Sequence, residues 1–413
     1  MRIAAPRGSM NLWIDTAGAA RAEPLFGLQP LERLRRSIGR AVAGDATILS
    51  GPGASANTWP GARIDADDAP LGSRLRRALA TCTGMLVAIV GATTVDPRLI
   101  RFLAAAPRSC VASRGDGDCR AVAMALESTV ADAIPADAVT LAAVTDSLLA
   151  SGRIERLDER TFPAYIDKLR RSLPFWLYTV RDATMRRAIE RRMFLENYKG
   201  STDLLTRWVY PPVVWQLVRL CTRFGVHPNV VTILSIILAF AAVPLFATGH
   251  FLSGFVCAYA MSVLDSVDGK VARLMLTDSP LGNALDHGLD QVHPPFWYFA
   301  WAWGLGAHSV ADPLFSAAIW LIGFYFADRL VLMLARKRLG FALHAATKLD
   351  GSVRSIIARR NITMTIVAVA LLLGHGRAGF LVVTAWQGLT FAWHAARTAW
   401  LGYVVRDRLR PES

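Results

Sequence analysis

The 413-residue sequence has no lysine before Lys168, five cysteines, and charged residues at only 19% of positions. The cysteines (Cys82, Cys110, Cys119, Cys221, Cys257) form no C-x-x-C pair and no dense framework, which excludes a disulfide scaffold and a cysteine zinc site. Residues 1–16 lack a basic stretch followed by a long apolar run, so no secretory signal is expected. Hydrophobic residues make up 53% of the chain, which excludes disordered and collagen-like classes. The length suits about two or three domains. A formal net charge of +14 suits either nucleic acid or an anionic membrane surface.

Hydropathy divides the chain into two unlike halves. Residues 1–157 predict a cytoplasmic α/β Rossmann-like domain. Short apolar runs at 11–14, 46–49, 85–90 and 110–112 alternate with helical stretches at 30–42, 71–81, 97–105 and 121–129. That alternation points to a doubly wound parallel sheet. Residues 158–225 interleave Arg170, Arg171, Arg181, Arg186, Arg187, Arg191 and Arg192 with Leu169, Leu173, Phe175, Trp176, Leu177 and Met185. An aromatic face opposite an arginine face predicts basic amphipathic juxtamembrane helices lying among lipid headgroups. The bland alternative is a solvated helix packed on its own domain.

Residues 226–413 predict an α-helical polytopic membrane domain of six transmembrane helices. The candidate spans are 230–248, 252–275, 283–304, 313–335, 362–374 and 378–401, most near the roughly 20 residues that cross a hydrocarbon core. Segments 247–254 and 305–312 carry no Lys or Arg, and 374–379 carries only Arg377. Arg223, Arg273, the 336–360 segment and the tail lie on the other side. By the positive-inside rule both termini are cytoplasmic, in the inner (plasma) membrane. The basic charge then belongs to membrane lipids, and no nucleic-acid partner is expected.

The second and third spans hold four aspartates. Asp265 and Asp268 are three apart, Asp286 and Asp290 four apart, so each pair shares a helix face. A carboxylate at mid-helix in a bilayer costs about 2.5–3.5 kcal/mol on insertion scales, and converging four of them adds repulsion. A cation relieves both, and an all-oxygen donor set suits Mg²⁺, Mn²⁺ or Ca²⁺ rather than zinc. Gly269 and Gly282 admit a ligand close to the backbone, Ala272 leaves room beside them, and Arg273 offers a phosphate donor. Four unrelated helix-end aspartates would be the structural alternative. A transporter with carboxylates relaying cations is a functional one, although here the carboxylates cluster once rather than repeating between two halves.

The segment from Asp265 to Asp290 reads D-x2-D-G-x2-A-R-x8-G-x3-D-x3-D. It is thereby identified as resembling the signature of the CDP-alcohol phosphotransferases, with every specified position present. Pro228-Asn229-Val230-Val231-Thr232 resembles the family's P-N-x-x-T at the start of the first span. The resemblance implies a transferase of phospholipid biosynthesis that moves a substituted phosphate from a CDP-alcohol donor to an acceptor hydroxyl, releasing CMP. It implies Asp265, Asp268, Asp286 and Asp290 as ligands of Mg or Mn, and Asp290 as general base. Around the nucleotide it implies Asn229, Thr232, Asp265, Gly269, Ala272, Arg273 and Gly282. It also implies a homodimer. Arg354, Arg359 and Arg360, with Arg207 a weaker candidate, could grip a phosphate on the acceptor, or serve only as a positive-inside anchor.

An α/β domain ahead of such a membrane half resembles the fused inositol-phosphate cytidylyltransferase and di-inositol-phosphate phosphate synthase proteins. Residues 14–21, Ile-Asp-Thr-Ala-Gly-Ala-Ala-Arg, resemble the glycine-rich loop of nucleotidyltransferases, and 24–33 resemble its P-K-P-L…G-x-P-L stretch. Glu23 stands where the lysine belongs, and Ala92 follows Gly91 where a metal-binding aspartate belongs. Triphosphate chemistry needs both charges, so this domain is expected to keep the fold without the reaction. A chain that makes no CDP-polyol must take its donor from elsewhere, which favours CDP-diacylglycerol. A CDP-inositol:inositol-phosphate transferase is the alternative.

Overall fold

The computed structural model describes residues 10–41, 46–51, 59–65, 67–115, 120–166, 169–200, 202–278 and 280–408. The chain forms two compact units. One takes in the chain up to Asp167, with Arg171–Glu196 and Leu274–Leu276. The other comprises Lys168–Arg170, Asn197–Arg273 and the chain from Thr277. The front unit thus runs well past residue 157.

Its strands are β1 (Asn11–Asp15), β2 (Ala46–Ser50), β3 (Arg63–Asp65), β4 (Leu86–Val90), β5 (Thr93–Val95), β6 (Cys110–Arg114), β7 (Ala121–Leu126) and β8 (Glu155–Arg156). Seven of them form one sheet in the order β3-β2-β1-β4-β7-β6-β8. Helices α1 (Pro30–Ala41), α2 (Leu71–Ala80), α3 (Pro97–Ala104) and α4 (Leu141–Ala150) cover it. Side chains alternate along each strand. Leu12, Ile14, Val87 and Ile89 pack in one core cluster with Leu34, Ile38, Leu99 and Leu103 of α1 and α3. Trp13, Leu86 and Ala88 pack in another with Leu75, Leu79, Val144 and Leu148 of α2 and α4. Truncating a buried leucine such as Leu99 to alanine would cost about 2–5 kcal/mol.

The 121–129 stretch is not a helix: Ala121–Leu126 is a fully buried strand between β4 and β6, antiparallel to both. The sheet is accordingly mixed rather than doubly wound and parallel. Burial on both faces erases the alternation that marks a half-exposed strand, so the run of small and apolar residues reads equally well as a helix. The neck is also not helical throughout. β9 (Tyr165–Ile166) pairs with β10 (Arg171–Ser172), and β11 (Leu177–Thr179) pairs antiparallel with β5. Pro163 and Pro174 interrupt any helix there. Phe175 is buried in the front core, its ring 5.1 Å from Phe162. Among the described residues of that segment the α-helices are α5 (Ala183–Glu196) and α6 (Pro211–Arg223), with a π-helical turn at Leu205–Val209 between them.

The second unit is helical: α7 (Pro228–Ala247), α8 (Phe251–Leu274), α9 (Pro280–Gly304), α10 (Pro313–Leu339), the short α11 (Lys348–Val353), α12 (Arg360–Leu372) and α13 (Gly376–Arg408). Among the described residues α7, α8 and α10 are long and apolar enough to cross a membrane, and α12 is shorter. α9, α12 and α13 lie over the other three predicted segments. Asp286 and Asp290 interrupt the apolar character of α9, and Gln387 and His394 that of α13. Small residues let the helices approach: a Cβ at Gly304 would lie 1.9 Å from the Phe246 carbonyl oxygen, and one at Gly379 would lie 2.2 Å from Ala370 Cβ. Phe246, Trp297, Trp301, Leu321 and Phe380 fill the centre of this unit. Val230, Ile233, Leu234 and Ile237 leave one side of α7 apolar and exposed.

Candidate active site

His227 caps α7, its Nδ1 accepting from the Asn229 amide at 3.2 Å, and Pro228 occupies the first helical position. This start places Thr232 on the buried side, where its hydroxyl donates to Asp268 Oδ2 at 2.6 Å. Asp268 is itself buried and also accepts from the Gly269 amide. Asp265, Ser266, Gly269, Lys270 and Arg273 share one side of α8 by their spacing and line a cavity of about 310 Å³. The helix α9 between Pro280 and Gly304 carries Asp286 and Asp290. The side chains of both lie outside the described residues.

The opposite wall comes from the segment before α12. Arg360 Nη2 donates to Asp265 Oδ2 at 2.7 Å. Arg359 Nη1 lies 3.6 Å from Asp203 Oδ2. Buried Asp203 accepts from Asn361 Nδ2 at 3.0 Å and from the Thr206 amide at 3.0 Å. Burial pushes the Asp203 carboxyl up, but the Arg359 guanidinium and these donors outweigh it and hold the group below the usual carboxylate range. Arg354 lines the cavity with its Nε buried and unbonded. Burial, with Arg359 and Arg170 nearby, pushes its guanidinium well below the usual range.

Arg354, Arg359 and Arg360 therefore meet Asp265, Gly269 and Arg273 in one cavity. Asn229, Thr232, Ala272 and Gly282 are not among its lining residues, although Thr232 reaches the motif through Asp268. Arg207 does not line it either: its guanidinium sits 5.3 Å from the Trp208 ring centroid. Five charged lining residues were not foreseen: Arg170, Lys199, Asp203, Lys270 and Arg329. The Gly200 amide donates to the Leu169 carbonyl at 2.8 Å, which brings Lys199 beside Arg170. Arg170 itself holds a left-handed backbone, φ 53°, a conformation that disfavours any residue with a Cβ. Lys270 places its ammonium 3.8 Å from the Tyr198 ring centroid. Arg329, next to Asp328, stands as a charge within the long apolar run of α10, and Lys270 lies inside the motif itself.

Among the described residues the cavity carries eight cations from four chain segments against Asp203 and Asp265, a field suited to ligands with several phosphate charges. Among the described residues no three His, Cys, Asp or Glu side chains gather around one metal position. The donor set of Asp265 and Asp268, joined in the motif by Asp286 and Asp290, still fits a hard divalent cation, being all carboxylate and already steadied by Thr232.

At the carboxyl edge of the front sheet, Asp15 is buried and accepts from the Ala17 amide at 3.0 Å. Burial raises its carboxyl to about 6, against the Ala17 amide and Arg74. Glu23 is taken up by an ion pair with Arg186 at 2.6 Å.

Comparison with known proteins bears on the helical unit. The chain is 26% identical over 119 residues to an uncharacterized CDP-alcohol phosphatidyltransferase class-I family protein of Schizosaccharomyces pombe, covering 25% of this chain and 30% of that one. It is 30% identical over 116 residues to cholinephosphotransferase 1 of Gallus gallus, covering 25% and 34%. The chain thus spans about a third of the length of these curated relatives. Among solved structures, Mycobacterium tuberculosis phosphatidylinositol phosphate synthase with manganese and citrate aligns at TM-score 0.36 and 18% identity, covering 46% of this chain and 88% of that one. The same synthase with CDP-DAG bound aligns at TM-score 0.36 and 19% identity, covering 46% and 93%. The family described as CDP-alcohol phosphatidyltransferase matches residues 225–400. With the motif on α8 and α9 inside that range, residues 225–400 are a CDP-alcohol phosphatidyltransferase domain, of a family whose members are transferases.

Proposed function

We propose that this protein is an integral-membrane CDP-alcohol phosphotransferase that moves a substituted phosphate from a CDP-alcohol to an acceptor hydroxyl and releases CMP. The observation that carries the reading is one cavity lined by both Asp265, Gly269 and Arg273 of the motif and the arginines Arg354, Arg359 and Arg360. A phosphotransferase must hold an anionic donor and, when the acceptor is itself a phosphate ester, a second anion. The eight cations and two carboxylates among the cavity's described lining residues suit that task better than a transporter's relay.

In the mechanism, Asp265, Asp268, Asp286 and Asp290 would hold a Mg²⁺ or Mn²⁺ ion, which would supply charge neutralisation at the pyrophosphate. Thr232 keeps one Asp268 oxygen oriented through its hydroxyl. Arg273 meets the donor's phosphates, while Asn229, Ala272 and Gly282 border the nucleotide. Asp290 takes the proton of the acceptor hydroxyl as that oxygen bonds to the β-phosphorus and the bond to the CMP oxygen breaks. Arg354, Arg359 and Arg360, with Arg170 and Lys199, bind a phosphate carried by the acceptor.

CDP-diacylglycerol is the favoured donor, because the front unit, with Glu23 and Ala92 in place of a lysine and an aspartate, is read as an inactive nucleotidyltransferase-like domain. CTP-dependent pyrophosphate release from the purified protein would contradict that part. Six spans, cytoplasmic termini in the inner membrane and a homodimer complete the proposal. The test is CMP release by the detergent-purified chain with Mg²⁺ or Mn²⁺. CDP-diacylglycerol and CDP-inositol are offered in parallel, each with inositol phosphate and with glycerol phosphate. Release from a CDP-diacylglycerol pair supports the lipid reading, and release only from CDP-inositol favours the soluble-polyol alternative. A folded protein that neither binds nucleotide nor releases CMP refutes the proposal.

A further inference from the structure

Arg360 belongs to two charge systems at once. Its Nη2 lies 2.7 Å from Asp265 Oδ2 and 3.4 Å from Ser262 Oγ, so it neutralises a carboxylate of the aspartate motif. By position it is also one of the arginines on the basic wall of the cavity. Its neighbours point their charge elsewhere: Arg359 faces Asp203 across 3.6 Å, and Arg354 lines the cavity with its Nε unbonded. The backbone beneath Arg360 is pinned. Asn361 donates to Asp203 at 3.0 Å and to the Thr206 hydroxyl at 3.1 Å, and accepts from Ser262. These bonds fix the start of α12.

We propose that Arg360 is an exchangeable counter-charge coupling the two ends of the cavity. A divalent cation taken by Asp265 releases Arg360 to an anionic phosphate, and a phosphate that claims Arg360 opens Asp265 to the cation. This rests on the phosphotransferase reading of the cavity. The physical reason is competition for one fork: a guanidinium that makes its best paired bonds to a phosphate cannot also hold a carboxylate in the same geometry. Two ligands that each displace the same internal ion pair must favour one another, and by the same factor in both directions. The cavity would then fill in a concerted way, and an acceptor phosphate would be gripped firmly only once the carboxylate end is loaded.

The test is a Mn²⁺ titration of the full chain in detergent, free Mn²⁺ being read by electron paramagnetic resonance, with and without inorganic phosphate and no nucleotide. The wild-type protein should bind Mn²⁺ about fivefold or more tightly with saturating phosphate, the lower end of ordinary coupling between sites. Arg360→Gln should bind Mn²⁺ at least about threefold more tightly without phosphate and lose most of the coupling. Arg359→Gln removes a cavity cation that is paired with Asp203 instead. It should weaken phosphate binding while leaving the Mn²⁺ affinity within about twofold and the coupling in place. Should Arg360→Gln fail to fold, Arg360→Lys carries the test and should show reduced coupling, since an ammonium has no fork. Unchanged Mn²⁺ affinity and intact coupling in the Arg360 variants, or an equal rise in Arg359→Gln, overturns the inference while leaving the site reading in place. Mn²⁺ binding that Asp265→Ala does not weaken removes the site reading, and the inference falls with it.

Discussion

Asp203 is a buried carboxylate outside the motif on which several donors converge. It is 3% exposed and accepts from Asn361 Nδ2 at 3.0 Å, the Thr206 amide at 3.0 Å and the Thr206 hydroxyl at 3.0 Å. Replacing it with alanine leaves the Asn361 and Thr206 donors without their acceptor, at about 1–3 kcal/mol for each donor that stays dry. Arg359, a third exposed and 3.6 Å away, adds no more than about 1 kcal/mol. A loss of about 3 kcal/mol follows, which for a unit of this size lowers the unfolding midpoint by roughly 6–12 °C. The assay is thermal unfolding in detergent of wild type, Asp203→Ala, Asn361→Ala and the double variant. The double variant should lose less than the sum of the singles, because the two residues share one bond. The sign of the pH dependence is fixed as well. The folded carboxyl lies below its unfolded value of about 3.9, so the stability it contributes is present above that pH and is lost as pH falls through the folded value. The gap between wild type and Asp203→Ala should therefore narrow below about pH 4. A midpoint change under about 2 °C at pH 7 would refute the reasoning.

Arg354→Met replaces a buried guanidinium whose Nε has no partner with an apolar chain, so the protein should gain stability by about 1 kcal/mol while the acceptor KM rises; a stability loss with KM unchanged contradicts its assignment to the acceptor. Thr232→Val leaves a buried Asp268 oxygen without its donor and should cost about 1–3 kcal/mol, with Thr232→Ser recovering most of it in the same unfolding assay. Asp15→Asn removes a carboxyl held near 6 by burial. Ionising that group costs the fold stability as pH rises from about 4 through 6, so the variant should be more stable than wild type at pH 7, by up to about 2–3 kcal/mol, and equal to it near pH 4. Equal midpoints at both pH values would show that Asp15 is not held in that state.

The aspartate motif was legible because its spacing is local: residues three and four apart share a helix face whatever surrounds them. Apolar runs likewise announced α7, α8 and α10 by length alone. The buried strand at Ala121–Leu126 was not legible, since a segment covered on both faces has no polar side to betray its period. The neck misled for a related reason. Phe175 and Leu177 look like one face of an amphipathic helix, yet they enter the front core from the non-helical segment that follows Pro174, Leu177 as the first residue of β11. Arg170, Lys199 and Asp203 lie 62 to 95 positions from Asp265 in sequence and reach the cavity only through tertiary folding, so no local pattern marks them.

The most direct measurement is single-turnover CMP release by the full chain in detergent with Mn²⁺, comparing wild type with Asp290→Asn on the donor and acceptor pair that wild type uses. If Asp290 removes the acceptor's proton, the variant should bind donor as wild type does and release CMP about 10²–10⁴-fold more slowly, the usual contribution of a positioned general base. A folded Asp290→Asn protein releasing CMP at the wild-type rate would contradict the account.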